Sequence, residues 1–238
     1  MRGLILAVQF LTRLPTPALP DYQPEALARA AIWFPLVGLL LGVLIAAAVW
    51  LGTRVDPWLG ALFGLLAWIG LTGALHLDGL ADLADALGAS HGDKDRLLAV
   101  LADPHLGVFG VTALGVQLLS KLVLLMLLAK SGTIWPLILI PAWARLGTLL
   151  WARLPSLKPG LGERFAWRVG ISGVWLWVAP LAAASLPAPA LLAAPLLILG
   201  WRAWLLARLG GMTGDALGAG VEWVETGLLL ALVLGSAA

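Results

Sequence analysis

The sequence predicts an all-α polytopic integral membrane protein, with residues 1–238 forming a single transmembrane helical domain. Three observations carry that expectation. Of the 238 residues, 61% are apolar and only 12% charged, with a mean hydropathy of +0.97; a soluble domain carries about 25% charged residues. Apolar runs recur at lengths close to the roughly 20 residues that cross the hydrocarbon of a bilayer. The basic residues gather on one side of the alternating loops, as the positive-inside rule describes.

The first apolar stretch, Arg2 to Phe10, is too short to span and lacks a small-residue cleavage site, so it reads as an interfacial amphipathic helix. About seven spans follow, at 30–51, 57–75, 106–129, 132–151, 169–186, 188–207 and 216–235. Pro35, Pro136, Pro141, Pro180 and Pro195 fall inside them, which membrane helices tolerate because neighbours re-satisfy the freed backbone groups. Trp33, Trp50, Trp58, Trp135, Trp151, Trp167 and Trp201 stand near span ends, as an interfacial belt does. Between the second and third spans, His76 to His105 carries two helical patterns and reads as a re-entrant or interfacial helical pair on the cytoplasmic side.

Seven spans place Arg2, Arg13, Arg29, Lys94, Arg96, Arg153, Lys158, Arg164, Arg168, Arg202 and Arg208 on the side of the N-terminus, against Arg54 and Lys130 on the other. That bias sets the N-terminus in the cytoplasm of a cell with a cytoplasmic (inner) membrane. Every acid except Asp56 falls on or near the same side, Asp21 and Glu25 included, so any chemistry faces the cytoplasm. The pI of about 9.4 follows from this topology, and nucleic acid is not an expected partner; membrane lipid is. The absence of cysteine excludes disulfides and thiolate metal ligands.

The densest chemistry is the run His76-Leu77-Asp78-Gly79-Leu80-Ala81-Asp82-Leu83-Ala84-Asp85. In a helix its aspartates stand at i, i+4 and i+7, on one face. Two carboxylates about 6 Å apart repel by about 3 kcal/mol at an effective dielectric near 20, and a divalent cation relieves that cost. A second acidic stretch, Gly210-Gly211-Met212-Thr213-Gly214-Asp215, opens the last span and leads to Glu222 and Glu225. Its glycines suit either a phosphate at a helix start or close helix packing, while acids in an apolar span are costly and usually functional.

Asp103, in Asp103-Pro104-His105-Leu106-Gly107, either caps the third span or joins the site. His76 and His105 are acid–base or phosphate-contact candidates, whereas His91 sits in a solvated turn. Lys121 and Arg145 lie well inside spans and face the protein interior, to pair with acids or to clamp a phosphate. Glu163, Arg164 and Arg168 form a substrate lid or an anchor to anionic lipid. Two aspartate-rich helices, a glycine-rich turn and buried cations together suggest a Mg²⁺-diphosphate site.

At these residues the chain resembles the cobalamin synthase family, the adenosylcobinamide-GDP ribazoletransferases. The shared pieces are Phe10-Leu11-Thr12-Arg13-Leu14-Pro15, Phe34-Pro35-Leu36-Val37-Gly38, Thr72-Gly73-Ala74-Leu75-His76-Leu77-Asp78-Gly79-Leu80-Ala81-Asp82, Asp103-Pro104-His105-Leu106-Gly107, and Thr213-Gly214-Asp215-Ala216-Leu217-Gly218-Ala219 with Glu222. The family's central run often continues Asp-Gly, whereas here Asp85 precedes Ala86-Leu87-Gly88.

The resemblance implies a Mg²⁺-dependent transferase of cobalamin biosynthesis that joins adenosylcobinamide-GDP to α-ribazole or α-ribazole 5′-phosphate and releases GMP. Carried onto this sequence, it makes Asp82, His76, Lys121 and Arg145 catalytic and Arg13, Thr213, Gly214 and His105 substrate-binding. Asp78, Asp82, Asp85, Asp103, Asp215 and Glu222 become metal ligands. A homo-oligomer is left open. A CDP-alcohol phosphotransferase requires Asp-Gly-x-x-Ala-Arg where this chain has Asp82, and an aspartate-rich prenyltransferase lacks the second motif. A transporter would place its acids near the midplane between repeats.

Overall fold

The computed structural model describes residues 2–19, 24–157 and 170–236. Asp21, Lys158, Glu163, Arg164, Trp167 and Arg168, invoked above for topology, the interfacial belt and the lid, lie outside the described residues. Helices are α1 (Arg2–Leu11), α2 (Pro24–Ala30), α3 (Phe34–Thr53), α4 (Pro57–Thr72), α5 (Leu75–Ser90), α6 (Lys94–Val100), α7 (Val108–Ser131), α8 (Ile140–Trp151), α9 (Ile171–Ser185), α10 (Ala194–Arg208) and α11 (Gly214–Ser236). Short 3₁₀ turns precede α3, α8 and α10. No strand forms among the described residues; Ser156 and Met212 make one isolated bridge.

Local chemistry sets the boundaries. Asp56 caps α4 by accepting from the Trp58 N–H at 2.7 Å, with Pro57 as its first residue. α4 stops at Gly73, whose φ of +60° is left-handed, and Ala74 repeats that conformation. The two residues turn the chain by 86° between α4 and α5. Arg13 holds the outside of this corner: its N–H bonds the Leu71 carbonyl at 2.7 Å, and its side chain fills the space that a Cβ on Gly73 would need.

Apolar helices stand at all seven predicted positions, but their lengths differ from the expectation. Among the described residues, four stretches are long and apolar enough to cross a membrane: Ala26–Thr53, α7, Pro189–Arg208 and α11. The bent pair α4–α5 makes a fifth if it counts as one span. α8 has 12 residues and α9 has 15. Pro136 and Pro141 explain the short α8, because they divide its predicted span into a 3₁₀ turn and a helix. α11 is the centre of the bundle, packed against α5, α7, α8 and α10, while α3 packs on α4 and α8.

Candidate active site

The site is built where α5 crosses α11. A Cβ on Gly79 would lie 2.7 Å from the Asp215 carbonyl oxygen, so only glycine permits this approach. One turn further along α11, Gly218 faces the backbone of His76 and Gly79. The two helices therefore run antiparallel at the crossing. Asp82, three residues after Gly79, shares its face and lies toward the start of α11. Asp78 is exposed, and Asp82 and Asp215 are half-buried, so these side chains are accessible at the surface of the bundle. Gly214, the first residue of α11, is exposed and has no neighbour where a side chain would project. Arg13 stands exposed at the α4–α5 corner just before this helix. The glycine-rich turn is fixed from behind by Met212, whose N–H bonds the Pro155 carbonyl at 2.8 Å and whose carbonyl accepts from the Leu157 N–H at 3.0 Å.

Other expected site residues have different tasks. Asp85 is buried, and both its oxygens are taken: Oδ2 accepts from the Gly107 N–H at 2.7 Å and Oδ1 from the Gly110 N–H at 2.9 Å. It caps α7, whose own first residues carry no capping side chain. The structure thus places Asp85 at the start of α7, where the sequence reading has it as a metal ligand. Thr213 is buried and its Oγ1 accepts from the Ala216 N–H at 3.1 Å, which makes it the cap of α11 instead of a substrate contact. Asp103 and His105 bind one another on the exposed loop, Nδ1 to Oδ1 at 2.6 Å, and the His105 backbone N–H donates to the same Oδ1 at 3.0 Å. That backbone bond, followed by the ring, holds the Asp103 carboxyl below its usual range.

Lys121, Arg145, His76 and Glu222 converge, but inside the bundle. Lys121 Nζ lies 2.7 Å from Glu222 Oε2 and 2.6 Å from Glu225 Oε2, and 4.4 Å from the Trp68 ring centre. Arg145 Nη1 pairs with Glu225 Oε1, and Nη2 lies 3.4 Å from His76 Nδ1. Gln117 Nε2 donates to Glu222 Oε2 at 2.6 Å and to Thr226 Oγ1 at 2.8 Å. Two cations and two carboxylates thus neutralise each other, with Lys121 at 2% exposure and Arg145 and Glu225 at 0%. Glu222 and Glu225 sit about 10 and 15 Å along α11 from Asp215, by the 1.5 Å rise per residue. Lys121, Arg145 and His76, expected to be catalytic, and Glu222, expected to be a metal ligand, are engaged in this internal pairing. Glu225 was not among the expected site residues. The matched spacings Gln117/Lys121 and Glu222/Glu225/Thr226 in two apolar helices are the sequence signal of the pairing.

Fold and site together define a helical membrane protein whose two acidic runs meet at a glycine-tight crossing on its solvent side. The model of the cobalamin-5-phosphate synthase family matches residues 3–233, and the chain belongs to that family. It is 57% identical over 239 residues to the adenosylcobinamide-GDP ribazoletransferase of Laribacter hongkongensis, covering 99% of this chain and 98% of that protein. Identity to the Thiobacillus denitrificans protein of the same name is 54% over 232 residues, covering 97% and 94%. The Pseudomonas aeruginosa protein of that name is 40% identical over 247 residues, covering 98% of each. No solved structure matches the chain.

Proposed function

We propose that this protein joins adenosylcobinamide-GDP to α-ribazole 5′-phosphate or α-ribazole and releases GMP, using Mg²⁺ at the α5–α11 crossing. The observation that carries the reading is the contact of Gly79 with Asp215, which brings the two family motifs to one place. The donor set suits the ion. Mg²⁺ prefers hard oxygens and uses one or two carboxylates, completing its octahedron with water and substrate phosphate. Asp78, Asp82 and Asp215 offer carboxylates at the surface of the bundle, and among the described residues no three such side chains come together closely enough to hold a metal by themselves. When bound, the ion neutralises charge on a diphosphate and favours departure of the leaving phosphate.

The chain's own groups do the rest. Asp78, Asp82 and Asp215 would supply the carboxylates that hold the ion. Arg13 offsets phosphate charge from the corner above α5. Gly214 leaves the opening of α11 clear for close approach of the diphosphate. The acceptor hydroxyl forms a new P–O bond to the cobinamide-linked phosphorus, the P–O bond to GMP breaks, and a carboxylate at the crossing takes the hydroxyl proton. The basic bias of the loops supports a cytoplasmic-facing site in the inner membrane. The family description, cobalamin-5-phosphate synthase, favours the phosphorylated acceptor. The test is GMP release by the purified protein with and without Mg²⁺. Asp82→Asn is expected to lower turnover by about 100-fold or more, as loss of transition-state charge stabilisation does. Near-wild-type turnover would remove Asp82 from the reaction.

A further inference from the structure

We propose that Glu225 is a positioning residue for the transfer reaction: by bridging Lys121 of α7 and Arg145 of α8 it fixes, through Arg145 and His76, the rotation of the aspartate helix α5 against α11. The inference rests on the reading of the crossing as a metal-diphosphate site.

Glu225 engages cations from two different helices, Oε2 with Lys121 and Oε1 with Arg145. Arg145 is tethered further by Nη1 donating to the Pro141 carbonyl at 3.3 Å. Its Nη2 reaches His76 Nδ1 at 3.4 Å. Guanidinium has no acceptor, so Nδ1 accepts and the His76 proton sits on Nε2. His76 lies in the first turn of α5, two residues before Asp78 and six before Asp82. Because α5 enters from a two-residue left-handed corner, the contacts of its first turn join the Gly79–Asp215 approach and the Asp85 bonds to Gly107 and Gly110 in setting its rotation. That first turn meets Gly218 on one side and Arg145 on the other.

The geometry makes small rotations costly. A carboxylate about 6 Å from the helix axis moves about 2 Å when the helix turns by roughly 20°. A displacement of about 1 Å at a reacting centre already costs on the order of 100-fold. Stability alone is a weak reason for the cluster, because apolar residues of similar volume often replace a buried ion pair without loss. Directional bonds that fix one helix rotation are what such residues would not supply.

The experiment uses the full-length protein in detergent or nanodiscs, with turnover counted per folded molecule and GMP release titrated with Mg²⁺. Glu225→Asp keeps the charge but is one methylene too short to bridge both cations. The double variant Glu225→Gln/Arg145→Gln removes one charge of each sign and leaves the neutral Lys121–Glu222 pair. His76→Leu cuts the last link with the ion cluster intact, so the test stands even if the first two fold poorly. Each folded variant is expected to need about tenfold more Mg²⁺ for half-maximal rate, the usual size of an outer-shell effect. KM for adenosylcobinamide-GDP at saturating Mg²⁺ should stay within about twofold, since the donor keeps its own contacts. Unchanged Mg²⁺ midpoint and unchanged turnover per folded molecule in His76→Leu would overturn the proposal, whatever happens to yield. A wild-type enzyme indifferent to Mg²⁺ would instead overturn the underlying metal reading.

Discussion

Replacing Asp85 separates a helix cap from a metal ligand. Asp85→Ala leaves the N–H groups of Gly107 and Gly110 without acceptors, one half-buried and one buried. Each orphaned donor costs about 1–3 kcal/mol, and loss of a carboxylate from a helix start adds about 0.3–1 kcal/mol. Solvent can reach Gly107 in part, so the sum expected is about 3–4 kcal/mol. At about 2–4 °C per kcal/mol for a chain of this size, the melting temperature should fall by about 6–16 °C. Asp85→Asn keeps one acceptor and should lose about half as much. Intrinsic tryptophan fluorescence during a thermal ramp reads the transition directly, since the chain carries 13 tryptophans. The Mg²⁺ midpoint of the surviving folded enzyme should not move. Unchanged melting together with a raised Mg²⁺ midpoint would refute the capping assignment and return Asp85 to the metal site. Gly110→Ala offers the reciprocal check, because its Cβ would meet the Asp85 carboxylate, and a similar loss of stability is expected.

At the crossing, Gly79→Ala places a Cβ 2.7 Å from the Asp215 carbonyl and should cut turnover by about 100-fold through displacement of α5; Gly218→Ala meets its nearest atoms at 3.4 Å and should remain close to wild type in the same GMP-release assay. Thr213→Ala should cost about 1 kcal/mol in thermal unfolding as a lost N-cap, with Thr213→Ser restoring it; full stability of the alanine variant would refute the capping role.

Much of this architecture was legible because strong local signals agreed. Asp78 and Asp82 at i, i+4 do occupy one helix, Asp56-Pro57 does begin another, and the acidic segment after the second span is a helical pair. What the sequence concealed was pairing at a distance. Asp85 finds its partners 22 and 25 residues away, and i+7 spacing from Asp78 suggested a ligand because helical periodicity says nothing about what faces a given turn. Lys121 and Arg145 were correctly expected to face inward, but whether they met acids or phosphate depended on the docking of α11, over 100 residues beyond Lys121. The seven-span pattern overestimated α8, since hydropathy does not register where Pro136 and Pro141 divide an apolar run.

The buried cluster also has a consequence for biogenesis. Lys121 and Arg145 are synthesised well before Glu222 and Glu225, which come with α11. Until that helix leaves the ribosome, α7 and α8 each carry a bare cation, at about 2.5–3.5 kcal/mol apiece for a charge in mid-membrane. Chains that end before α11 therefore retain two uncompensated charges in apolar segments. Arrival of α11 neutralises both and, in the same movement, delivers Asp215 to Gly79. Synthesis of α11, charge neutralisation and assembly of the acidic crossing are thereby one event.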